Sequence, residues 1–260
     1  MARGLFVVLE GIEGSGKSSQ IKLLCDYLTE KKYSVVTTQE PGGTRIGEVI
    51  RDVLIDPEHP EFITANWVYL SGSATTEPEL EGGERNGHRI LPSDSAMARP
   101  NGSKRSPRFN EMDYKTELFL YAADRNQHVE EVIAPALKKE KVVICDRFSL
   151  STFAYQGFGR GIPLLEIEEV NKWATGGLEP DLTVILDVPV EVGLKRATKH
   201  YTDRIEQEDI SFHKKVREGY LQLARGNSDK IKVVGGTKPK EEIHEEIVKI
   251  VEKLLKGTAM

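Results

Sequence analysis

The chain has 260 residues, of which 38% are hydrophobic and 30% are charged, and its formal net charge is −5. This length allows one well-packed α/β domain with an appendage, and the acidic balance argues against a nucleic acid as the main partner. No apolar run reaches the roughly 18 residues that cross a bilayer, so we expect no membrane-spanning segment.

Short apolar runs alternate with segments of helical periodicity along most of the chain. The predicted elements are, in chain order, a strand at 5–9, a helix at 18–31, a strand at 33–38, a helix at 114–138, strands at 142–145, 182–186 and 232–234, and a helix at 241–256. Unbroken apolar strands that alternate with helices are typical of a parallel sheet covered on both faces. We therefore predict one α/β domain over residues 1–260, a parallel sheet flanked by helices.

The segment from about 60 to 110 breaks this pattern. It is rich in Gly, Pro, Ser, Asn and Arg and shows no periodicity. Such a composition does not bury enough apolar surface to offset the entropy lost on ordering, and structureless loops of this length are uncommon within a domain. We interpret residues 60–110 as a disordered insertion.

A glycine-rich motif follows the first predicted strand and opens the first predicted helix. It comprises Gly11, Ile12, Glu13, Gly14, Ser15, Gly16, Lys17 and Ser18, which fit the pattern G-x-x-x-x-G-K-[ST]. Glycines allow backbone N–H groups to turn around phosphate oxygens, and the helix N-terminus adds a positive dipole end. Lys17 is expected to reach the β- and γ-phosphates, and the Ser18 hydroxyl is expected to bind Mg²⁺. This motif predicts a nucleoside triphosphate site of the P-loop NTPase kind.

Two further pairs carry chemistry that suits a phosphorylated nucleotide. Asp146 and Arg147 follow a buried strand, where an aspartate can hold Mg²⁺ and an arginine can clamp a phosphate. Tyr121 and Arg125 are four residues apart on a predicted helix and therefore share a face. Side by side, a ring and a guanidinium can stack on a base and bond its edge.

Residues 191–209 are dense in charge and include Arg196 and Arg204. One interpretation is a solvated helix surface. The other is a mobile lid that brings cations to a transferring phosphoryl group and excludes water.

Together these residues resemble the thymidylate kinase family, a group of nucleoside monophosphate kinases. The resemblance covers the chain except about 60–110, and it rests on five strings: Leu9-Glu10-Gly11, Glu40-Pro41-Gly42-Gly43-Thr44, the run from Asp146 to Gly157, Pro180-Asp181-Leu182-Thr183 and Asp203-Arg204-Ile205-Glu206. The long run from Asp146 is the most specific of them. The implied reaction transfers the γ-phosphate of ATP to dTMP in the presence of Mg²⁺.

The resemblance also implies a role for each matching residue. Glu10 would meet the sugar hydroxyl or the metal shell, and Arg51 and Arg147 would hold the dTMP phosphate. Tyr121 would stack on thymine, and Arg125 would bond its edge. The rest of the implied dTMP site is Glu40, Pro41, Ser151, Tyr155 and Gln156. Position 13 is Glu rather than Arg, which resembles the bacterial variant, in which the lid supplies a catalytic arginine. Arg196 and Arg204 are the candidates beside Lys17, Asp146 and Arg147.

Three alternatives to a dTMP kinase stay open at this point. The first is a kinase for another nucleoside monophosphate or for a deoxynucleoside, with Glu40 as its base. The second is a GTPase-like switch, although Asn171-Lys172-Trp173-Ala174 lacks the aspartate of the guanine-binding motif. The third is an inactive fold whose insertion blocks the acceptor site. The two cysteines, Cys25 and Cys145, lack metal-site spacing and predict buried free thiols in a cytoplasmic protein. A homodimer is one candidate assembly of the chain.

Overall fold

A computed structural model describes residues 3–55, 112–197 and 203–258 of the chain. Its sheet has five parallel strands in the order β2-β3-β1-β4-β5. The strands are β1 (Phe6–Glu10), β2 (Val35–Gln39), β3 (Val142–Asp146), β4 (Leu182–Asp187) and β5 (Ile231–Gly235). The predicted parallel α/β fold is confirmed, and every strand end lies within two residues of the predicted one.

Helices cover both faces of this sheet. They are α1 (Lys17–Glu30), α2 (Arg45–Ile55), α3 (Tyr114–His128), α4 (Ala134–Lys138), α5 (Ser149–Thr152), α6 (Leu164–Thr175), α7 (Val190–Ala197), α8 (Ile210–Gly226) and α9 (Lys240–Thr258). Two π-helical stretches, Val129–Ile133 and Phe153–Gly159, continue α3 and α5. The first precedes Pro135, which has no N–H group to continue the α-helical ladder.

The apolar side chains of β1 alternate between two cores. Val7 and Leu9 belong to the cluster that includes Leu24 of α1 and Ile247 of α9. Phe6 and Val8 belong to the opposite cluster, with Val129, Ile133 and Phe148 among its members. A strand buried on both sides needs apolar residues at every position, which explains the unbroken run in the sequence.

The strand order places a ligand-binding edge beside β1. The chain leaves β1 for β2 and β3 on one side and returns to β4 on the other, so the connections diverge at the carboxyl end of β1. Ligands of open α/β sheets bind at this kind of divergence. Glu10 and Asp146 end the adjacent strands β1 and β3 there, and both predicted phosphate motifs begin at this edge.

Two predictions concern parts of the chain that lie outside the described residues, in whole or in part. The predicted insertion at 60–110 lies wholly outside them. Of the predicted lid at 191–209, the structure describes 191–197 and 203–209. Among all described residues, no helix is both long and apolar enough to cross a membrane.

Candidate active site

The glycine-rich motif forms a tight loop between β1 and α1. Gly14 and Gly16 adopt left-handed backbone angles, with φ of 65° and 101°. A Cβ atom on Gly14 would lie 2.0 Å from the carbonyl oxygen of Gly193, so glycine is needed there both for conformation and for the close approach of α7. Helix α1 begins at Lys17, directly after this loop.

Lys17, Ser18 and Asp146 meet below the loop. The Lys17 ammonium is almost buried and donates to the carbonyl oxygens of Gly11 and Ile12, at 3.0 and 3.2 Å. Burial and the nearby Arg147 cation lower the pKa of Lys17 to about 8, so the group remains mostly charged at pH 7. The Ser18 hydroxyl donates to Asp146 Oδ2 at 3.2 Å, and the buried Oδ1 of Asp146 has no partner among the described residues.

A cavity of about 350 Å³ opens beside these residues. Its lining contains fourteen of the predicted site residues, namely Glu13, Gly14, Lys17, Ser18, Glu40, Pro41, Arg51, Tyr121, Arg125, Asp146, Arg147, Ser151, Tyr155 and Gln156. A second groove, of about 490 Å³, runs along the outer side of the loop and is lined by Gly14–Gln20, Arg196, Gly236, Lys238, Lys240 and Ile243. The loop therefore lies between two spaces, as a donor and an acceptor would require.

Arg147 is held over the cavity by a partly buried ion pair. Its Nη2 lies 3.0 Å from Glu13 Oε1, and its guanidinium stacks 5.0 Å from the centre of the Tyr155 ring. The Tyr155 hydroxyl donates to the same Glu13 oxygen at 2.6 Å. Burial would raise the pKa of Glu13, but the Arg147 and Lys17 cations outweigh it and hold that pKa below the ordinary value. Arg147 also has a φ of 69°, an uncommon angle for a residue other than glycine, which is typical of functional positions.

The structure does not place Glu10 on the cavity surface. Its side chain is 0% exposed and accepts hydrogen bonds from the backbone N–H groups of Phe148 and Ser151 and from the hydroxyls of Ser151 and Tyr220. Burial raises its pKa, although Arg147 and these donors oppose the shift. In this structure the carboxylate therefore fixes the start of α5, and the contact with a sugar or metal shell that the resemblance implied stays a prediction.

Arg125 is clamped from three sides at the inner wall of the cavity. Its Nε donates to Glu40 Oε2 at 2.9 Å, and its Nη1 donates to Thr152 Oγ1 at 2.8 Å and to Asn171 Oδ1 at 2.6 Å. The other oxygen of Glu40 lies 3.0 Å from His128 Nδ1. Both Glu40 oxygens are thus occupied, which disfavours the alternative in which Glu40 acts as a free base.

Pro41, Arg51 and Tyr121 also line the cavity. The Glu40–Pro41 peptide bond is cis, and the Pro41 carbonyl accepts from Arg51 Nη1 at 2.7 Å. Tyr121 lies one turn before Arg125 on α3, as the i, i+4 spacing predicted. Burial and the Glu117 charge raise the pKa of the Tyr121 phenol well above its ordinary value, so the ring is neutral.

Arg196 and Arg204, the arginines of the predicted lid, are not among the described residues that line this cavity. Arg196 donates to the carbonyls of Gly236 and Gly14, at 3.0 and 3.5 Å, on the outer side of the loop. Arg204 lies 2.6 Å from Glu117 and donates to the Leu54 carbonyl at 3.0 Å. Arg196 thus lines the outer groove, whereas Arg204 is held by partners that it would have to leave to reach the cavity.

The sequence interpretation missed the buried acceptors behind the site. Glu117 is fully buried and accepts from Gln156 at 2.7 Å and from Arg160 at 3.1 and 3.3 Å, in addition to its ion pair with Arg204. Asn171 supports Arg125 in a comparable way. Polar residues on the inward face of an amphipathic helix are the one sequence signal for such positions, and that signal does not identify their partners.

The environment of Asp124 predicts that the stability of the folded protein depends on pH. Its Oδ1 accepts from the Gly42 N–H at 2.9 Å, while burial and the Glu40 charge raise its pKa from 3.8 to about 7. The folded state therefore holds this proton more tightly than the unfolded state, so its contribution to stability is complete below about pH 4 and is lost as the pH rises through 7. Asp124→Asn keeps an acceptor and cannot ionise.

We expect the free energy of unfolding of Asp124→Asn to exceed that of the parent by a margin that grows from pH 4 to pH 8, up to about 4 kcal/mol at about 1.4 kcal/mol per pKa unit, and its Tm to rise relative to the parent accordingly. Thermal melts of both proteins across this range measure the effect. The exposed Asp52→Asn on α2 is the matched control and should show no such trend. A difference in Tm that is equal at pH 4 and pH 8 contradicts the prediction.

Comparison with known proteins identifies the family. Residues 9–77 and 104–247 match the family model described as thymidylate kinase. The chain belongs to the thymidylate kinase family. The interval between the two matched parts, residues 78–103, falls within the tract predicted as an insertion and lies outside the described residues.

Curated thymidylate kinases match this chain along nearly its whole length. The thymidylate kinase of Carboxydothermus hydrogenoformans is 40% identical over 253 residues, which covers 97% of this chain and 98% of the relative. That of Caldanaerobacter subterraneus subsp. tengcongensis is 37% identical, with 98% of each chain covered. The crystal structure of thymidylate kinase from Ehrlichia chaffeensis superposes with a TM-score of 0.63 at 27% identity, covering 96% of this chain and 99% of the other.

Proposed function

We propose that the two spaces around the P-loop are the donor and acceptor sites of one reaction, the transfer of the γ-phosphate of ATP to dTMP to give ADP and dTDP. The chain is an ATP-dependent nucleoside monophosphate kinase. The observation that carries the residue assignment is the cavity in which Tyr121, Arg125 and Arg147 open beside Lys17. An aromatic ring, a donor for a base edge and a phosphate clamp suit a nucleoside monophosphate.

The dTMP phosphate needs no general base, since it is already an anion when it attacks. The protein's task is to align the two phosphates and to neutralise their charge. We assign the γ-phosphate of ATP to Lys17 and the dTMP phosphate to Arg147 and Arg51. We assign thymine to Tyr121, Arg125 and Gln156, and we place the sugar against Tyr155 and Ser151.

Mg²⁺ fits the residues at the foot of the P-loop. The Ser18 hydroxyl and the Asp146 carboxylate are hard oxygen donors, and the unpartnered Oδ1 of Asp146 leaves one acceptor available. Ser18 would bind the ion directly, and Asp146 would hold it directly or through water. When bound, Mg²⁺ would neutralise charge on the β- and γ-phosphates of ATP.

For the lid, we propose that Arg196 serves the donor side. It already lies on the Gly14 and Gly236 carbonyls along the outer groove. Arg204 is held by Glu117 and the Leu54 carbonyl on the acceptor side, so it would first have to leave these partners. We also propose a cytoplasmic location, supported by the free thiols of Cys145, which is buried, and Cys25, which is only half-buried.

The function is tested by a coupled assay of ADP release with dTMP, dUMP, UMP and thymidine as acceptors. We expect dTMP to be the preferred acceptor, with kcat/KM at least about 100-fold above that for UMP, because Tyr155 leaves little room for a ribose 2′-hydroxyl. Equal values for dTMP and UMP would indicate a general pyrimidine kinase. A strong preference for thymidine would indicate a nucleoside kinase instead.

We propose that a homodimer forms through the outer face of α3 and α6. Trp173 and Phe119 are 88% and 61% exposed there, beside a groove of about 450 Å³. Among the described residues, its lining is mainly apolar and Glu169 is the one charged member. Exposed apolar surface of this kind suits a partner of the same character, and one face can meet its own copy across a two-fold axis. We expect Trp173→Glu to halve the molar mass in light scattering. The exposed Lys172→Glu is the control, and an unchanged mass for Trp173→Glu would exclude this face.

A further inference from the structure

Asn171 occupies a position on α6 that the reaction described above does not use. The sequence presents it as part of an incomplete guanine-binding motif, yet the structure buries it and gives it two partners. Its Oδ1 accepts from Arg125 Nη1 at 2.6 Å, and its Nδ2 donates to the Ser149 carbonyl at 3.3 Å. A carbonyl only accepts and a guanidinium only donates, so these two partners fix the orientation of the amide.

Asn171 completes a clamp that determines the plane of the Arg125 guanidinium. Glu40 holds Nε, and Thr152 and Asn171 together hold Nη1. Within the described residues Nη2 makes no hydrogen bond, and Arg125 lines the cavity. Because a guanidinium is a rigid planar fork, fixing two of its nitrogens also fixes the direction of the third.

The remaining nitrogen can recognise only an acceptor. Thymine and uracil present a carbonyl oxygen at C4, whereas cytosine presents an amino group, which is a donor. A guanidinium free to tilt could avoid the amino group, but a clamped one cannot. The strength of this discrimination therefore depends on the residues that prevent tilting.

We propose that Asn171 is a positioning residue for base selectivity: it holds Arg125 so that the site favours pyrimidine monophosphates with a 4-oxo group over those with a 4-amino group. This inference rests on the proposed contact between Arg125 and the base. The Thr152 hydroxyl can rotate, whereas the Asn171 amide is fixed in orientation by its second contact, with the Ser149 carbonyl.

The test compares Asn171→Leu, which has similar volume but no acceptor, with Asn171→Asp, which keeps one. For each enzyme we would measure the KM for dTMP, the KM for dUMP and the inhibition constant of dCMP. We expect Asn171→Leu to reduce the preference for dTMP over dCMP by about tenfold, with the preference for dTMP over dUMP unchanged. Asn171→Asp should retain most of the preference for dTMP over dCMP.

KM and inhibition constants do not depend on the fraction of enzyme that is folded, so their ratios can be measured even on a partly unfolded preparation. Asn171→Ala provides a second variant. Asn126→Ala is the matched control, because Asn126 joins α3 to the Ala174 carbonyl of α6 without touching Arg125. If Asn126→Ala loses the preference for dTMP over dCMP equally, the effect arises from the packing of α3 against α6 and the proposal is wrong.

The Arg125→Lys variant tests separately whether Arg125 contacts the base and whether Asn171 positions Arg125. If Arg125→Lys lowers the preference for dTMP over dCMP and Asn171→Leu does not, Arg125 contacts the base but Asn171 does not position it. If neither variant changes this preference, the proposed contact between Arg125 and the base is itself wrong.

Discussion

Replacement of Lys17 by Ala should lower kcat by on the order of 10³-fold or more, which corresponds to at least about 4 kcal/mol of transition-state stabilisation. The Lys17 ammonium is the cation at the foot of the P-loop, where it donates to the Gly11 and Ile12 carbonyls. Its pKa of about 8 keeps it mostly charged at pH 7, and bound phosphates would favour the charged form further.

Single-turnover and steady-state assays with ATP and dTMP measure this effect. The matched control is Lys22→Ala, an exposed lysine on the same helix, α1, which should keep parental turnover. Lys17→Ala should stay folded by circular dichroism, since it removes a partly desolvated charge rather than an apolar core residue. Turnover within about threefold of the parent would refute the assignment of the donor site.

Replacement of Arg147 by Ala should lower kcat/KM for dTMP by on the order of 10²–10³-fold while leaving the KM for ATP nearly unchanged. Arg147 lines the cavity that we propose as the acceptor site, and a guanidinium can bind a phosphate through two parallel hydrogen bonds. Arg147→Lys keeps the charge without the fork, so we expect an intermediate loss. Initial rates at varied dTMP and varied ATP separate the two substrates.

A second cause of lost activity must be separated from the first. Arg147 neutralises the buried Glu13, so its removal leaves a carboxylate without its cation. The double variant Glu13→Gln, Arg147→Ala removes that charge as well. If the double variant regains most of the activity, the loss came from the stranded Glu13 rather than from a missing phosphate contact, and the proposed role of Arg147 fails.

Local sequence determined much of the fold and the donor site. The P-loop could be predicted from Gly11 to Ser18, because its chemistry depends on backbone angles and on residues that are neighbours in the chain. The parallel sheet followed from apolar runs such as Leu5–Leu9, since a strand covered on both faces needs an apolar side chain at every position. The pairing of Tyr121 with Arg125 followed from the helical repeat.

Most of the residues that we propose for the acceptor site could be named only through the family resemblance, because no local pattern joins Arg51, Tyr121 and Gln156. The tertiary structure brings them to one cavity at the edge where β1 and β3 end. It also shows that Glu10 is buried and supports the start of α5, which the sequence did not indicate.

Only the tertiary structure determined which partner each charged group contacts. A sequence gives the number of arginines and carboxylates, but their partners are set by contacts between elements that are distant in the chain. Arg125 meets Asn171 across 46 positions, and Arg147 meets Glu13 across 134. Arg204 is directed to Glu117 rather than to the P-loop by the same kind of contact. A buried charge must find a partner wherever the fold places one, and that choice is made by packing rather than by local sequence.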